Sequence, residues 1–386
     1  MTLLGSNDIF IDLVVCFGFC YNNIMKLSFV LAFAAVAFAL PAQADFYWQL
    51  SGVLKDNAGQ RSDRDGNGLG CWLELTNDVA GVDYKPVKIY DIRRKTTGGT
   101  DLVKYSDSSG HIPFDGCRYG EAEVDLTLPI RDADGISYTL TAINSYSFQE
   151  NQFIGKVVLT SALEYIGQRA FRNCYYLRTV TFPDPATWTP QYIGKESDGG
   201  RAFEGCSRLE GDIVWPDNLT EVPQYTFSGD SALKGFHGKG VTTYRAGSFH
   251  SVPSAFCFEM SEAESIAFPG QVINNSNLSK VVWHGTPPST GDYFSKSSNN
   301  FMAYSKTSRV HYIPYDETQE DGVPARWANY KTAFEEETSG NSLTFPVYDA
   351  TTGTQTDGSW YISGRSSNAD KVRFWFPGKT AALLMK

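Results

Sequence analysis

The segment at residues 163–183, LEYIGQRAFRNCYYLRTVTFP, constrains the fold most, because versions of it recur on both sides. The versions align on the second residue of an Ala-Phe pair or its equivalent, which we call the anchor. The anchors are Phe148, Phe171, Phe203, Phe227, Phe249 and Ile273. They are separated by 23, 32, 24, 22 and 24 residues, and most are followed by a short strand-like segment. Six units in register predict a repeat array.

A unit of about 23 residues cannot bury its own apolar face, but stacked units can, because each strand pairs with the next. The anchors are expected to pack on one another in the core. The sequence therefore predicts a mainly β repeat protein with a solenoid in the middle. Gly (35), Tyr (21) and Phe (25) are frequent, which suits a turn-rich β architecture.

The repeats resemble the bacterial BspA-type leucine-rich repeats. The likeness is carried by I-G-x-x-A-F-x-x-C-x-x-L-x-x-V-x-F-P at Ile166–Pro183 and by A-F-x-x-C-x-x-L at Ala202–Leu209. It departs from the family pattern in an insertion at 194–200 and in a degenerate fifth unit. The resemblance implies a secreted or surface-displayed leucine-rich-repeat solenoid used for adhesion or protein binding.

Four segments are expected along the chain. Residues 1–44 are a leader, 45–128 an N-terminal β region, 129–336 the solenoid with a closing unit, and 337–386 a small C-terminal β tail. The closing unit resembles a Pro-ended strand followed by a short helix. In that helix Trp327, Tyr330 and Phe334 would share one face.

The leader is typical of a secretory signal peptide at residues 25–44. Lys26 gives a positive start, 27–40 is a short apolar run, and 42–44 reads Ala-Gln-Ala, so the mature chain is expected to begin at Asp45. Residues 1–24 fit no leader pattern, and we expect them to come from an upstream start codon that is not used. No later run is apolar enough for a transmembrane helix. The location is predicted to be secreted or cell surface.

A calcium-loop pattern lies at 63–74, with Asp63, Asp65, Asn67 and Glu74 as the ligands in register. Alternating oxygen ligands followed by a distal carboxylate suit Ca²⁺. The alternative is an exposed Asp/Gly turn between strands, and we favour it because no helix precedes the loop. We expect no cofactor other than this Ca²⁺ alternative.

Five cysteines remain once the leader is removed, and because the number is odd at least one is free or pairs between molecules. We favour a disulfide between Cys71 and Cys117, which both lie outside the repeats. The alternative is that both are reduced and buried. Cys174 and Cys206 occupy equivalent repeat positions and are expected to form a buried ladder.

No catalytic motif is present, and the five His residues are scattered, so we expect no enzyme. Two carboxylates could still meet across the fold and form a glycosidase-type active site. Because the chain has 43 acidic residues, the sequence does not indicate such a pair. A net charge of −10 disfavours a nucleic-acid partner.

Alternation along the strands predicts a row of side chains pointing outward on the concave sheet. This predicted binding row is Val158, Thr181, Val214, His237, Glu259 and Val282. Its mixed, weakly polar character suits a broad protein contact. Loops such as 194–200 are the alternative binding elements.

The leading functional hypothesis is an exported, non-enzymatic binding or adhesion protein that presents this surface to a protein partner, such as a protein on a host or neighbouring cell. The alternative is a secreted carbohydrate-binding or glycan-acting protein with its site in the flanking β regions, which would make a glycan the partner.

Overall fold

The computed structural model describes the chain from residue 46 to residue 376 with gaps. The described residues are 46–51, 71–77, 88–94, 101–104, 118–135, 137–195, 197, 199–253, 256–260, 266–268, 272–273, 280–285, 287, 309–337, 339–363 and 369–376. All of them belong to one compact unit, Ala44–Lys386. The predicted leader lies outside the described residues.

Strands dominate the described residues, with one helix, α1 (Ala325–Glu337). The strands are β1 (Phe46–Ser51), β2 (Cys71–Asn77), β3 (Lys88–Arg94), β4 (Asp101–Lys104), β5 (Ala122–Asp125), β6 (Ile130–Asp132), β7 (Ser137–Ile143), β8 (Ile154–Val158), β9 (Tyr165–Ile166), β10 (Thr179–Thr181), β11 (Tyr192–Ile193), β12 (Gly211–Val214), β13 (Glu221–Val222), β14 (Leu233–His237), β15 (Thr243–Tyr244), β16 (Cys257–Glu259), β17 (Lys280–Val282), β18 (Val310–Pro314), β19 (Ser342–Thr344), β20 (Val347–Asp349), β21 (Thr354–Thr356), β22 (Gly358–Tyr361) and β23 (Asp370–Trp375).

The first five repeats each contribute one strand to each of two parallel ladders, and the sixth contributes β17 to the first ladder and an isolated bridge at Ala267 to the second. The first ladder consists of β5, β8 and β10, and then of β12, β14, β16, β17 and β18 in a separate sheet. The second consists of β7, β9 and β11, and then of β13 and β15. In the second ladder, the Ile that precedes each anchor by five residues, or its equivalent, is buried. The predicted mainly β repeat fold is confirmed, and the ladders are consistent with a solenoid.

The anchor side chains form a continuous column between the ladders. Phe148 and Phe171 stack with their ring centroids 4.9 Å apart and their planes within 4°. Phe171 and Phe203 follow at 5.2 Å, and Phe203 and Phe227 at 5.7 Å. Phe249 continues the column 5.5 Å from Phe227, and all five rings are at most 1% exposed. Repetition of one residue type at one position therefore builds the core.

The turn around each anchor uses two residues with positive φ, one two positions before the anchor and one two positions after it. The first set is Tyr146, Arg169, Arg201, Tyr225 and Gly247, and the second is Glu150, Asn173, Gly205, Gly229 and Ser251. In this geometry the backbone N–H groups of alternate residues donate to carbonyls of the next unit. For example, the N–H of Phe148 donates to the carbonyl of Ala170 at 2.7 Å. Seven of these ten residues are not Gly, so glycine does not mark most of these left-handed positions in the sequence.

The N-terminal strands form a closed ring rather than an isolated sheet. Its hydrogen-bonded order is β7-β4-β3-β2-β1-β6, and β6 pairs back to β7. Strand β7 also pairs with β9, so the ring and the second ladder share it. Trp48 is fully buried, and its indole N–H donates to the Asp125 carbonyl at 2.7 Å. The boundary at 128/129 stays a prediction, and β5 on its N-terminal side pairs with β8 of the array.

The C-terminal tail extends the sheet of the first ladder. Strand β23 pairs parallel with β18, β22 pairs antiparallel with β23, and β19 forms the end of that sheet. Helix α1 buries Trp327, Tyr330 and Phe334, the three residues expected on one face. In the described part of the chain, no helix has the length and apolarity needed to cross a membrane.

Candidate binding surface

The predicted binding row lies on the side of the first ladder that faces away from the core, which we call the outer face. Thr181 is paired with Val158, and Val214, His237, Glu259 and Val282 are successive partners on β12, β14, β16 and β17. The row runs through two sheets, because β10 and β12 are not paired as strands. Val214 is 42% exposed, whereas Val282 is 2% exposed and presents little surface. The binding role of the row stays a prediction.

A second outward row lies two residues earlier on the same strands, and the sequence analysis did not include it. It begins with Glu123 and Lys156, whose charged groups are 3.4 Å apart. Asp212 and Cys257 flank Gly235 in the same register on β12, β16 and β14. The sequence does indicate this second row, because residues two positions apart on a strand point to the same face of the sheet.

A carboxylate held between two imidazoles is the most organised polar group on the outer face. Glu259 contacts Nδ1 of His237 through one oxygen and Nε2 of His284 through the other. An ionised carboxylate only accepts hydrogen bonds, so each imidazole donates an N–H to it. The Oδ2 atom of Asp212 lies 4.0 Å from Nε2 of His237. Burial lowers the pKa of His237, an effect that Asp212 opposes and His284 reinforces.

The C-terminal tail contributes two further side chains to this face. The indole N–H of Trp375 donates to the Trp283 carbonyl at 2.7 Å, and its ring centroid lies 4.9 Å from that of His284. Arg373 binds both oxygens of Asp357, at 2.6 and 3.1 Å. This bidentate hydrogen bonding from Arg373 lowers the pKa of Asp357. The tail and the repeats thus share one surface, which the sequence did not indicate.

The calcium and disulfide predictions fall mainly outside the described residues. Asp63, Asp65, Asn67 and Cys117 lie outside them, as does the side chain of Cys71. Glu74 lies within β2, paired with Gln49 on one side and Lys88 on the other. Both predictions therefore stay open.

Two further observations concern metals and thiols. Among the described residues, no three His, Cys, Asp or Glu side chains are arranged to hold a metal ion. Within the described part of the chain, Cys174, Cys206 and Cys257 form no disulfide.

The arrangement of the repeats defines a class of protein. Short parallel strands, a buried column of anchors and a recurring turn describe a leucine-rich repeat protein, and residues 141–255 and 191–301 match the BspA type Leucine rich repeat region in six copies. The resemblance to BspA-type repeats seen in the sequence is therefore confirmed for residues 141–301.

Solved bacterial structures show partial similarity. A leucine-rich repeat protein from Bacteroides capillosus ATCC 29799 is 21% identical, with 41% of this chain and 98% of that chain covered and a TM-score of 0.29. A leucine rich cell surface protein from Faecalibacterium prausnitzii A2-165 is 14% identical, with 72% and 61% covered and a TM-score of 0.30. This chain thus spans 61% of the length of the second structure. No curated protein matches the chain.

Proposed function

We propose that the protein is an exported, non-enzymatic binding or adhesion protein that presents the outer face of its repeats to a protein partner. The observation that carries the proposal is the register of the first ladder. It aligns the side chains of four successive strands, β12, β14, β16 and β17, in one row. Repeat proteins commonly use such extended surfaces for binding.

The composition of the outer face supports a protein contact. Val158, Thr181 and Val214 are small or apolar, and Val214 is exposed at 42%. His237 and Glu259 add a polar group beside them. A mixed surface of this kind is typical of non-obligate protein interfaces.

The proposal places the mature protein outside the cell or on its surface. The leader pattern at residues 25–44 and the BspA-type repeats both support this location. Intact mass or N-terminal sequencing of the exported protein tests it, and the mature chain should begin at Asp45. Retention of residues 1–24 in the exported protein would contradict the proposal.

A pull-down with the mature protein on host matrix proteins and on surface proteins of neighbouring cells tests the binding function. The double variant Thr181→Arg with Val214→Arg should reduce capture at least tenfold, because two new charges would stand in the contact. Arginines at Thr351 and Thr352, two exposed residues of the β20–β21 turn, serve as the matched control. Deletion of 195–199 tests the alternative that the inserted loop binds. If the deletion abolishes capture and the Thr181/Val214 arginines do not, the outer face is not the binding surface.

A further inference from the structure

The indole of Trp375 lies across a neighbouring strand on the outer face. Its N–H reaches the carbonyl of Trp283, which follows directly after β17. Strand β18 runs between β17 and β23, so the ring must span it to make this bond. Val372 and Phe374 of β23 are buried, whereas Arg373 and Trp375 alternate to the other side. Trp375 is half-buried, so the sheet covers part of the ring and solvent reaches the rest.

Fixed polar groups border this flat ring on the side of the repeats. The imidazole of His284 meets the indole at a steep angle of 68°, and Glu259 links it to His237. These three polar side chains are 20–36% exposed, so a ligand can contact them without unfolding any part of the protein. Mutual hydrogen bonds hold them in position, and such preorganisation reduces the entropy lost when a ligand binds.

From this arrangement we infer that the Trp375–His284–Glu259–His237 patch is a carbohydrate-binding site. A sugar ring has an apolar C–H face that stacks on a flat aromatic surface, and an edge of hydroxyls that both donate and accept hydrogen bonds. The indole supplies the flat surface. The carboxylate and the second ring nitrogen of each neutral imidazole supply acceptors for the sugar hydroxyls. An aromatic surface with a few convergent polar groups is the usual design of a small-ligand site.

The patch suits an oligosaccharide better than a protein segment of the same size. It extends from β14 to β23, a distance of four strand spacings or about 19 Å. A stable protein contact needs roughly 800 Å² on each partner, and this compact polar cluster offers only part of that area. The site shares His237 and Glu259 with the proposed protein contact, but it goes beyond that contact, because it uses neither Thr181 nor Val214 and depends on Trp375 of the C-terminal tail.

Titration of the full chain with six soluble probes tests the inference. These are maltohexaose, cellohexaose, laminarihexaose, mannohexaose, xylohexaose and chitohexaose, followed by calorimetry and by tryptophan fluorescence. At least one should bind, and Trp375→Ala and Glu259→Gln should each raise its Kd at least tenfold. Trp375→Phe keeps an aromatic ring and should have a smaller effect, which guards against a folding defect in the alanine variant. Tyr119→Ala removes an aromatic ring that is 60% exposed in the N-terminal β region, and it should leave the Kd unchanged.

The outcomes separate this inference from the proposed function. If none of the six probes binds, or if all the Trp375 and Glu259 variants bind as the unaltered protein does, the carbohydrate site is wrong even when a protein partner is captured. If the Thr181→Arg and Val214→Arg protein loses protein capture but keeps saccharide binding, both assignments are supported as separate sites. If that variant loses saccharide binding while Glu259→Gln keeps it, the site has been placed on the wrong strands.

Discussion

The interior of the repeat array and its C-terminal closure are stabilised in different ways. In the interior, one residue type recurs at one position, and neighbouring anchor rings stack 4.9–5.7 Å apart. The closure instead combines aromatic and charged side chains that occur once each. Its members are Trp283, Arg309, His311, Trp327, Trp360 and Asp370.

The closure depends on contacts between residues far apart in the chain. Asp370 accepts hydrogen bonds from the Arg309 backbone N–H at 2.8 Å and from Nε2 of His311 at 3.2 Å, across 61 and 59 residues. Trp283 donates to the other ring nitrogen of His311 at 3.2 Å. An interior unit contacts mainly its neighbours, whereas the closure joins the last repeats to the tail. The interior thus depends on one apolar contact that each unit repeats, whereas the closure depends on single polar contacts between distant segments.

The largest effect is expected for Phe171→Ala in the interior. Phe171 is fully buried and stacks on both Phe148 and Phe203, so truncation leaves a cavity between three units. The free energy of unfolding should fall by about 3–5 kcal/mol, measured by urea denaturation. Tyr175→Ala in the same unit is the control, because Tyr175 is 44% exposed and should change stability little. A loss below about 1 kcal/mol for Phe171→Ala would mean that the anchor column is wrong.

The next largest effect is expected for Asp370→Asn in the closure. Arg309 and Asp370 are both about 1% exposed, with Nη1 and Oδ2 separated by 3.7 Å. Neutralising the carboxylate removes the negative charge beside the buried guanidinium, so stability should fall by about 3 kcal/mol. Urea denaturation measures the change.

Asp357→Asn is the matched control for Asp370→Asn. Asp357 pairs with Arg373 on the same sheet, but both side chains are at least one quarter exposed. Solvent screens this pair, so the expected loss is below about 1 kcal/mol. Equal losses for the two variants would show that burial does not make the Arg309–Asp370 pair more stabilising than the more exposed Arg373–Asp357 pair.

The repetitive parts of the molecule could be predicted from the sequence, and the parts that occur once could not. The period of the anchors gave the core column, and alternation gave the pairing of Val214, His237 and Glu259. No period links Trp375 to Trp283 across 92 residues. His284 was also missed, because it lies beyond the end of its strand and its contact with Glu259 depends on the tertiary fold.

Asp230 offers a test within the interior, because it replaces a cysteine of the repeat. Cys174 and Cys206 donate their thiol hydrogens to the carbonyls of Phe148 and Phe171. Asp230 occupies the next equivalent position and is fully buried. Neither carboxyl oxygen accepts a well-aligned hydrogen bond, and the backbone N–H groups of Cys206 and Gly205 offset only part of the cost of burial. Burial raises its pKa well above the usual value. Asp230→Cys should therefore stabilise the protein by about 1–3 kcal/mol at pH 8, because it removes an unsatisfied buried group.

The stability advantage of Asp230→Cys over the unaltered protein should increase with pH. The unfolded Asp230 ionises near pH 4, whereas the folded protein retains the proton to higher pH. The unaltered protein therefore loses stability as pH rises from about 4 to the raised pKa, and Asp230→Cys does not. Urea denaturation at pH 4 and pH 8 should show a larger advantage for the variant at pH 8. An equal advantage at both pH values would show that ionisation of Asp230 is not its cause.

The smallest effect is expected at the outer edge of the closure, where Glu335 of α1 contacts the edge strand β19. Its Oε1 accepts the backbone N–H of Leu343 in β19 at 2.9 Å, and Lys331 contacts both carboxylate oxygens at 2.6 Å. The Leu343 hydrogen bond, with help from Lys331, lowers the pKa of Glu335. Because the side chain is about one third exposed, Glu335→Ala should lower stability by only about 0.5–1 kcal/mol at pH 7.

The pH dependence of this edge contact has the opposite sign from that of Asp230. A lowered folded pKa means that Glu335 stabilises the protein above its unfolded pKa, near 4.3, and that this stabilisation is lost as pH falls through the folded pKa. Urea denaturation of the unaltered protein and Glu335→Ala should therefore differ at pH 7 and converge near pH 3. Glu336→Ala is the control, because Glu336 lies next to Glu335 on α1. A loss at pH 7 as large as that of Asp370→Asn would show that the closure depends on its surface as much as on its buried ion pair.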